Sequence, residues 1–111
     1  MGLLKDFLKR RDTEAGIAST YASRTMKRFF GIDIDTYKDG VIDRKTKEML
    51  GLVASLVLRC HDCILYHLNQ LREMDVADEE IEEVLMVGLT VGGSITIPHI
   101  RKALVAWESE K

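Results

Sequence analysis

The chain has 111 residues, a length at which one compact core forms and two independent cores do not fit. Its 46% hydrophobic and 31% charged residues, with a single Pro, place it outside disordered, collagen-like and low-complexity chains. Sixteen Lys and Arg against eighteen Asp and Glu give a formal net charge of −2, so nothing in the charge balance marks nucleic acid or an anionic membrane as a partner.

Residues 1–11 carry charge scattered among the apolar positions, without the basic, apolar and small-residue zones of a secretory signal. Asp6 stands where a myristoylation signal has Ser or Thr, so the expectation is a cytoplasmic protein with no lipid anchor. Leu3, Leu4, Phe7 and Leu8 repeat with helical spacing and predict a short first helix ending before Asp12 and Thr13. Either residue suits the N-cap of a second helix reaching about Phe30. Gly31, Asp33, Asp35, Asp39 and Gly40 predict a turn-rich connector over 31–42, with Gly40 suited to positive φ.

Asp43 is the expected N-cap of a helix from Arg44 to about Leu58, apolar around most of its circumference and therefore central. Its near-apolar run, Met49 to Leu58, is half of the ~20 residues a membrane span needs. The next helix runs from about Cys60 to Met74, with Ile64, Leu65, Leu68 and Leu71 as its stripe, and Asp75 to Ala77 break it. Asp78, Glu79 and Glu80 then form a dipole-favoured, solvated helix start, and that helix stops at Gly92-Gly93. Ile97, Ile100, Leu104 and Trp107 define one face of a last helix, with Pro98 accommodated in its first turn. Strand-like alternation is nearly absent, so the reading is all-α: a single-domain bundle of about five to six helices over residues 1–111. Several largely apolar helices in so short a chain also predict self-association.

Two cysteines in a chain without an export signal do not make a secreted disulfide framework. Closing the short loop from Cys60 to Cys63 constrains the unfolded chain by only roughly 2 kcal/mol, so a structural staple explains the pair poorly. With Cys60, Cys63 and His67 on one helix, all three fall within about 60° of arc. Thiols three residues apart have Cα atoms roughly 5 Å apart, within disulfide range, so the pair can cycle between dithiol and disulfide. A helix start lowers the pKa of Cys60, and His67, one turn beyond Cys63, is placed to accept a thiol proton. Exposure at the helix start favours Cys60 as the attacking thiol and nearness to His67 favours Cys63, so the order of attack stays open. Glu48 lies twelve residues before Cys60 among apolar neighbours, where a carboxylate needs a partner, and is the candidate to orient His67.

Other readings compete. Zinc needs more protein ligands than one Cys pair, with no second Cys or His pair in the chain, and haem attachment fails because Ile64 follows Cys63. A non-catalytic redox-sensing or metal-binding interaction module is the alternative to an enzyme. His61 reads as a solvated neighbour, His99 as a first-turn or interface residue, and Tyr66 as a half-buried ring beside His67. Gly88 and Gly92-Gly93 read as close packing and a helix break.

Glu48, Cys60, Cys63 and His67 in this spacing resemble the active-site signature of alkylhydroperoxidase D-like proteins in the carboxymuconolactone decarboxylase superfamily. The lead-in Gly40 to Glu48, the stretch Asp78 to Leu85 and the Gly92-Gly93 break resemble its short, single-repeat members. Similarity thus covers residues 40–104 as the family core and leaves N-terminal helices within 1–39. The resemblance implies an all-helical subunit assembling as a homo-dimer, trimer or hexamer, with no bound cofactor. It implies a thiol–disulfide oxidoreductase or peroxidase acting on a peroxide or disulfide, recharged by an external dithiol of dihydrolipoyl type, with a peroxiredoxin or lipoyl protein as partner. Glu48, Cys60, Cys63 and His67 are then the catalytic set, with His67 as proton relay. This chain departs at Asp62, where some members have His, and a carboxylate beside the thiols opposes their ionisation. Decarboxylases of muconolactone in the superfamily lack the cysteine pair, which argues against that activity here.

Overall fold

The computed structural model describes residues 2–111, and among them the chain is all helical, with no strand. The helices are α1 (Leu3–Tyr21), α2 (Arg24–Thr36), α3 (Arg44–Val57), α4 (His61–Glu73), α5 (Asp78–Gly92) and α6 (Ile97–Glu108), with a 3-10 turn at Ser94–Thr96. None is long and apolar enough to cross a membrane.

The centre is α3, as its apolar circumference predicts: it packs on both α4 and α5. Leu52 and Leu56 of α3 meet Ile64, Leu68 and Leu71 of α4 and Ile81 and Leu85 of α5 in the core. Leu4 and Phe7 of α1 and Ala103, Ala106 and Trp107 of α6 close it from the other side. Gly88 lets α5 approach α3, for a Cβ there would stand 2.6 Å from Leu56 Cδ2. Asp43 caps α3 as expected, its carboxylate accepting the Thr46 N–H at 2.8 Å. Gly93, at φ 82°, ends α5.

The acidic start of α5 does more than meet solvent. Asp78 accepts from Trp107 Nε1 at 2.8 Å and from Lys111 Nζ at 2.6 Å, and Lys45 Nζ lies 2.8 Å from Glu80. Lys111 above all holds the Asp78 carboxyl below its usual range, and Lys45 does the same for Glu80. The start of α1 is served from the far end of the chain: Ser109 Oγ accepts the Leu3 N–H at 2.8 Å and Glu110 accepts the Leu4 N–H at 2.9 Å. Otherwise unpaired helix donors find acceptors, and a negative charge sits at the positive end of the helix dipole.

The N-terminal third differs from its sequence reading. Asp12 and Thr13 cap nothing and α1 runs on to Tyr21, with Thr13 Oγ1 donating to Lys9 O at 3.2 Å within the helix. The true cap is Ser23, whose hydroxyl accepts the Met26 N–H at 3.1 Å, and α2 then takes in residues 31–36, read above as turn. Gly31 has open space around it, and its cost inside a helix, about 1 kcal/mol, does not break α2. Gly40 does not adopt positive φ; Arg59 (φ 59°) and Asp75 (φ 55°) do, each turning the chain after a helix.

Past Arg11, α1 buries no residue, and α2 buries none at all. Phe29 is 65% exposed, Ile32 60% and Ile34 63%. The radius of gyration, 14.5 Å, exceeds the ~13 Å of a compact chain of this length, as an arm standing off the core requires.

Candidate active site

Leu58 and Arg59 reverse the chain between α3 and α4, and the Cys60 N–H donates to Ser55 O at 3.0 Å. Cys60 is consequently the N-cap of α4 and lies just outside the helix, a correction to its expected place on the helical face. Its Sγ accepts the Cys63 N–H at 3.3 Å. The two cysteines form a disulfide with Cα atoms 5.3 Å apart, close to the helical-spacing figure. Cys63, in the first turn, is exposed; Cys60 is half-buried.

One turn further, His67 is buried and meets Glu48 of α3, with Nδ1 2.7 Å from Glu48 Oε1 and side-chain exposures of 8% and 1%. A carboxylate only accepts, so with Glu48 ionised Nδ1 carries the hydrogen of this contact. Gly51, one turn past Glu48 on the same helix, makes room for the ring. A Cβ there would stand 2.5 Å from His67 Cε1, 2.7 Å from Nε2 and 2.9 Å from Nδ1. Tyr37 and Tyr66 flank the imidazole at centroid distances of 5.3 and 5.4 Å. Burial first, and the charge of Glu48 second, push both phenols above their usual value, so they stay protonated.

These groups border a cavity of about 250 Å³ in which Cys63, His67, Tyr66 and Tyr37 are walled on the outside by Phe7 and Arg11 of α1. The Arg11 guanidinium lies 4.4 Å from the Tyr66 ring centroid, a cation–π contact. Asp62, the departure that argues against thiol ionisation, has a partner: Arg10 Nη2 lies 3.3 Å from its Oδ1, while Nη1 of the same guanidinium lies 3.4 Å from Glu14. The cation offsets the repulsion that a bare carboxylate would exert on a thiolate. His61 is not simply solvated: it is half-buried on a neighbouring face of α4, its Nδ1 buried without a partner. Burial, then the charge of Lys102, holds its imidazole below the usual value. His99 Nδ1 is likewise buried and unpartnered. Among the described residues no three His, Cys, Asp or Glu side chains are grouped to hold a metal ion.

The structure thus brings Glu48, Cys63 and His67 to one place, with Cys60 bonded to Cys63. Sequence reasoning missed Tyr37, Arg11 and Gly51. Gly51 had a signal, since it lies three residues after Glu48 and so on the same helix face.

Fold and site together define an all-helical domain that presents a cysteine pair beside a buried carboxylate–imidazole pair. The chain belongs to the carboxymuconolactone decarboxylase family, whose profile matches residues 23–106, in keeping with the alkylhydroperoxidase D-like resemblance. The match takes in α2, which the motif similarity over 40–104 left out. A crystal structure of a family member from Thermotoga maritima, for which a role in antioxidative response has been suggested, superposes with a TM-score of 0.87 at 47% identity, covering 93% of this chain and 87% of that one. The apo structure of a family member from Legionella pneumophila superposes with a TM-score of 0.85 at 26% identity, covering 95% and 94%. An uncharacterised protein of Cupriavidus necator is 24% identical over 106 residues, 96% of this chain and 94% of its own length.

Proposed function

We propose that this protein is a thiol-dependent oxidoreductase of alkylhydroperoxidase type that reduces a peroxide or disulfide with Cys60 and Cys63. In the reduced state the Cys63 thiol gives its proton to His67, and the thiolate attacks one oxygen of a hydroperoxide. The O–O bond breaks, the alcohol leaves with the proton that His67 returns, and Cys63 becomes a sulfenic acid. The Cys60 thiol attacks that sulfur, water leaves, and the disulfide forms. An external dithiol, of dihydrolipoyl type, then reduces the disulfide by two exchange steps and leaves oxidised. Glu48 holds the imidazole in its working tautomer.

The observation that carries this reading is that His67, held by the buried Glu48, lines the same cavity as the exposed Cys63. The role suggested for the Thermotoga relative points the same way. A dithiol-recharged pair belongs to a reducing compartment, so we place the protein in the cytoplasm. The test is peroxide consumption with reduced lipoamide as donor. Wild type turns over, while Cys60→Ser and Cys63→Ser both lose turnover. A single stoichiometric oxidation without turnover, whatever the donor, overturns the enzyme and leaves a redox sensor.

The working form is a homo-oligomer in which a second copy covers α2. Burying Phe29 alone contributes about 1.5–3 kcal/mol, and it stands one turn from exposed Ile32. Light scattering is expected to give a multiple of the 12.6 kDa chain mass, reduced by Phe29→Ser with Ile32→Ser. A wild-type mass of 12.6 kDa at micromolar concentration removes the oligomer.

A further inference from the structure

A second cavity, of about 580 Å³, lies beside the first and is bordered by α1, α4 and α6. His61 and Leu65 of α4 face it, whereas Cys63, Tyr66 and His67 face the disulfide cavity. Phe7 stands in both walls and is the partition between them. Leu65, Val105 and Ala106 join Phe7 in an apolar lining. The volume falls in the range of small-molecule sites, roughly 300–1,000 Å³.

The charged groups on the rim are Arg10, Arg101, Lys102 and Asp6. Arg10 is engaged by Asp62 and Glu14. Arg101 and Lys102 form no salt bridge with another described residue, nor does Asp6. Two unspent cations against one carboxylate leave the groove a single positive charge, which suits a monoanion better than a dianion. His61 adds no charge near neutral pH, because burial and Lys102 disfavour its imidazolium, and its Nδ1 is a buried polar atom without a partner.

The geometry points to a binding site for one unbranched acyl chain ending in a carboxylate, with the carboxylate against Arg101 and Lys102 and the chain on Phe7, Leu65 and Ala106. Its far end reaches the Phe7 partition and so approaches the disulfide cavity without entering it. Each methylene buried on such a surface strengthens binding about fourfold.

The test is calorimetric titration of the intact, oxidised protein with decanoate, hexanoate and decyltrimethylammonium. Decanoate binds one per chain, about 10²-fold tighter than hexanoate, and the cationic amphiphile does not bind. Arg101→Glu with Lys102→Glu weakens decanoate at least tenfold and leaves turnover of tert-butyl hydroperoxide unchanged. Arg101→Gln with Lys102→Gln, a milder change, weakens it in the same direction. No saturable decanoate binding overturns the proposal, as does equal binding of the cationic amphiphile. Indifference to the charge reversal overturns it too. If the reversal instead lowers the oligomer mass while decanoate fails to bind, the groove seats a second copy and the proposal falls. The titration needs no turnover, so its failure leaves the redox reading standing, and failure of the redox reading leaves the groove site standing.

Discussion

Gly51→Ala adds one methyl group where the His67 ring rests on α3. Built on the helix backbone, it stands 2.5 Å from Cε1 and 2.7 Å from Nε2. Carbon atoms settle near 3.5 Å, so the ring retreats by about 1 Å. Glu48 is on the same helix, and that retreat lengthens the 2.7 Å contact with Nδ1. Two stability effects oppose each other: Ala in place of helical Gly contributes about 1 kcal/mol, and overpacking costs about 1–3 kcal/mol. The net loss is about 0–2 kcal/mol, and the fold survives. Catalysis has no such offset, because a misplacement of about 1 Å costs about 10²-fold. The assay joins three readings: urea unfolding, peroxide turnover, and the pH dependence of Cys63 alkylation by iodoacetamide in a Cys60→Ser background. Turnover is expected to fall about 10²-fold, with the alkylation curve moved to higher pH and the unfolding midpoint little changed. Full turnover with an unmoved curve would show that the imidazole neither needs this seat nor serves Cys63.

Glu48→Gln keeps the shape and a hydrogen-bonding group against Nδ1 while removing the charge. Turnover falls about 10²-fold with urea stability retained, and unchanged kinetics would make the carboxylate incidental. Arg10→Gln leaves the Asp62 charge uncompensated and raises the pKa of the Cys63 thiol, whereas Asp62→Asn lowers it. The ultraviolet absorbance of the thiolate against pH reads both, and two curves equal to wild type refute the coupling. His61 has its imidazole depressed below 6.5, mainly by burial, so the folded chain binds fewer protons than the unfolded one beneath that value. The contribution of His61 is therefore full above 6.5 and is lost as the pH falls toward its folded-state value. His61→Gln should flatten the decline in stability as the pH falls below 6.5, and parallel curves would refute that assignment.

The candidate site and its scaffold were legible where local spacing dictates geometry. Asp43 as a cap, Gly92-Gly93 as a stop and the apolar circumference of α3 each follow from short-range rules, and the structure keeps all three. Glu48 was found because a carboxylate among apolar neighbours needs a partner, and the partner is His67. The N-terminal third was misread because cap residues are ambiguous on a solvated helix. Asp12 and Thr13 can end a helix or decorate one, and no buried contact there distinguishes the two. Arg11 and Tyr37 were hidden for a different reason: each reaches the cavity from an element remote in sequence, which no spacing rule encodes. Cys60 lies outside α4 because Arg59 turns the chain there in a left-handed conformation that its side chain does not advertise.

The site is divided between unequal supports. Glu48, Gly51 and His67 sit on two central helices of the core, whereas Arg11 and Asp33 reach the cavity from the outer part of α1 and from α2, stretches in which no residue is buried. Amide hydrogens of residues 12–36 should therefore exchange with deuterated solvent through partial openings far less costly than global unfolding, while those of α3 and α4 wait for the whole molecule to open. Such an opening draws Glu14 and Asp33 away from the cavity while Cys63 and His67 keep their places on α4, so the entrance widens without loss of the Glu48–His67 contact.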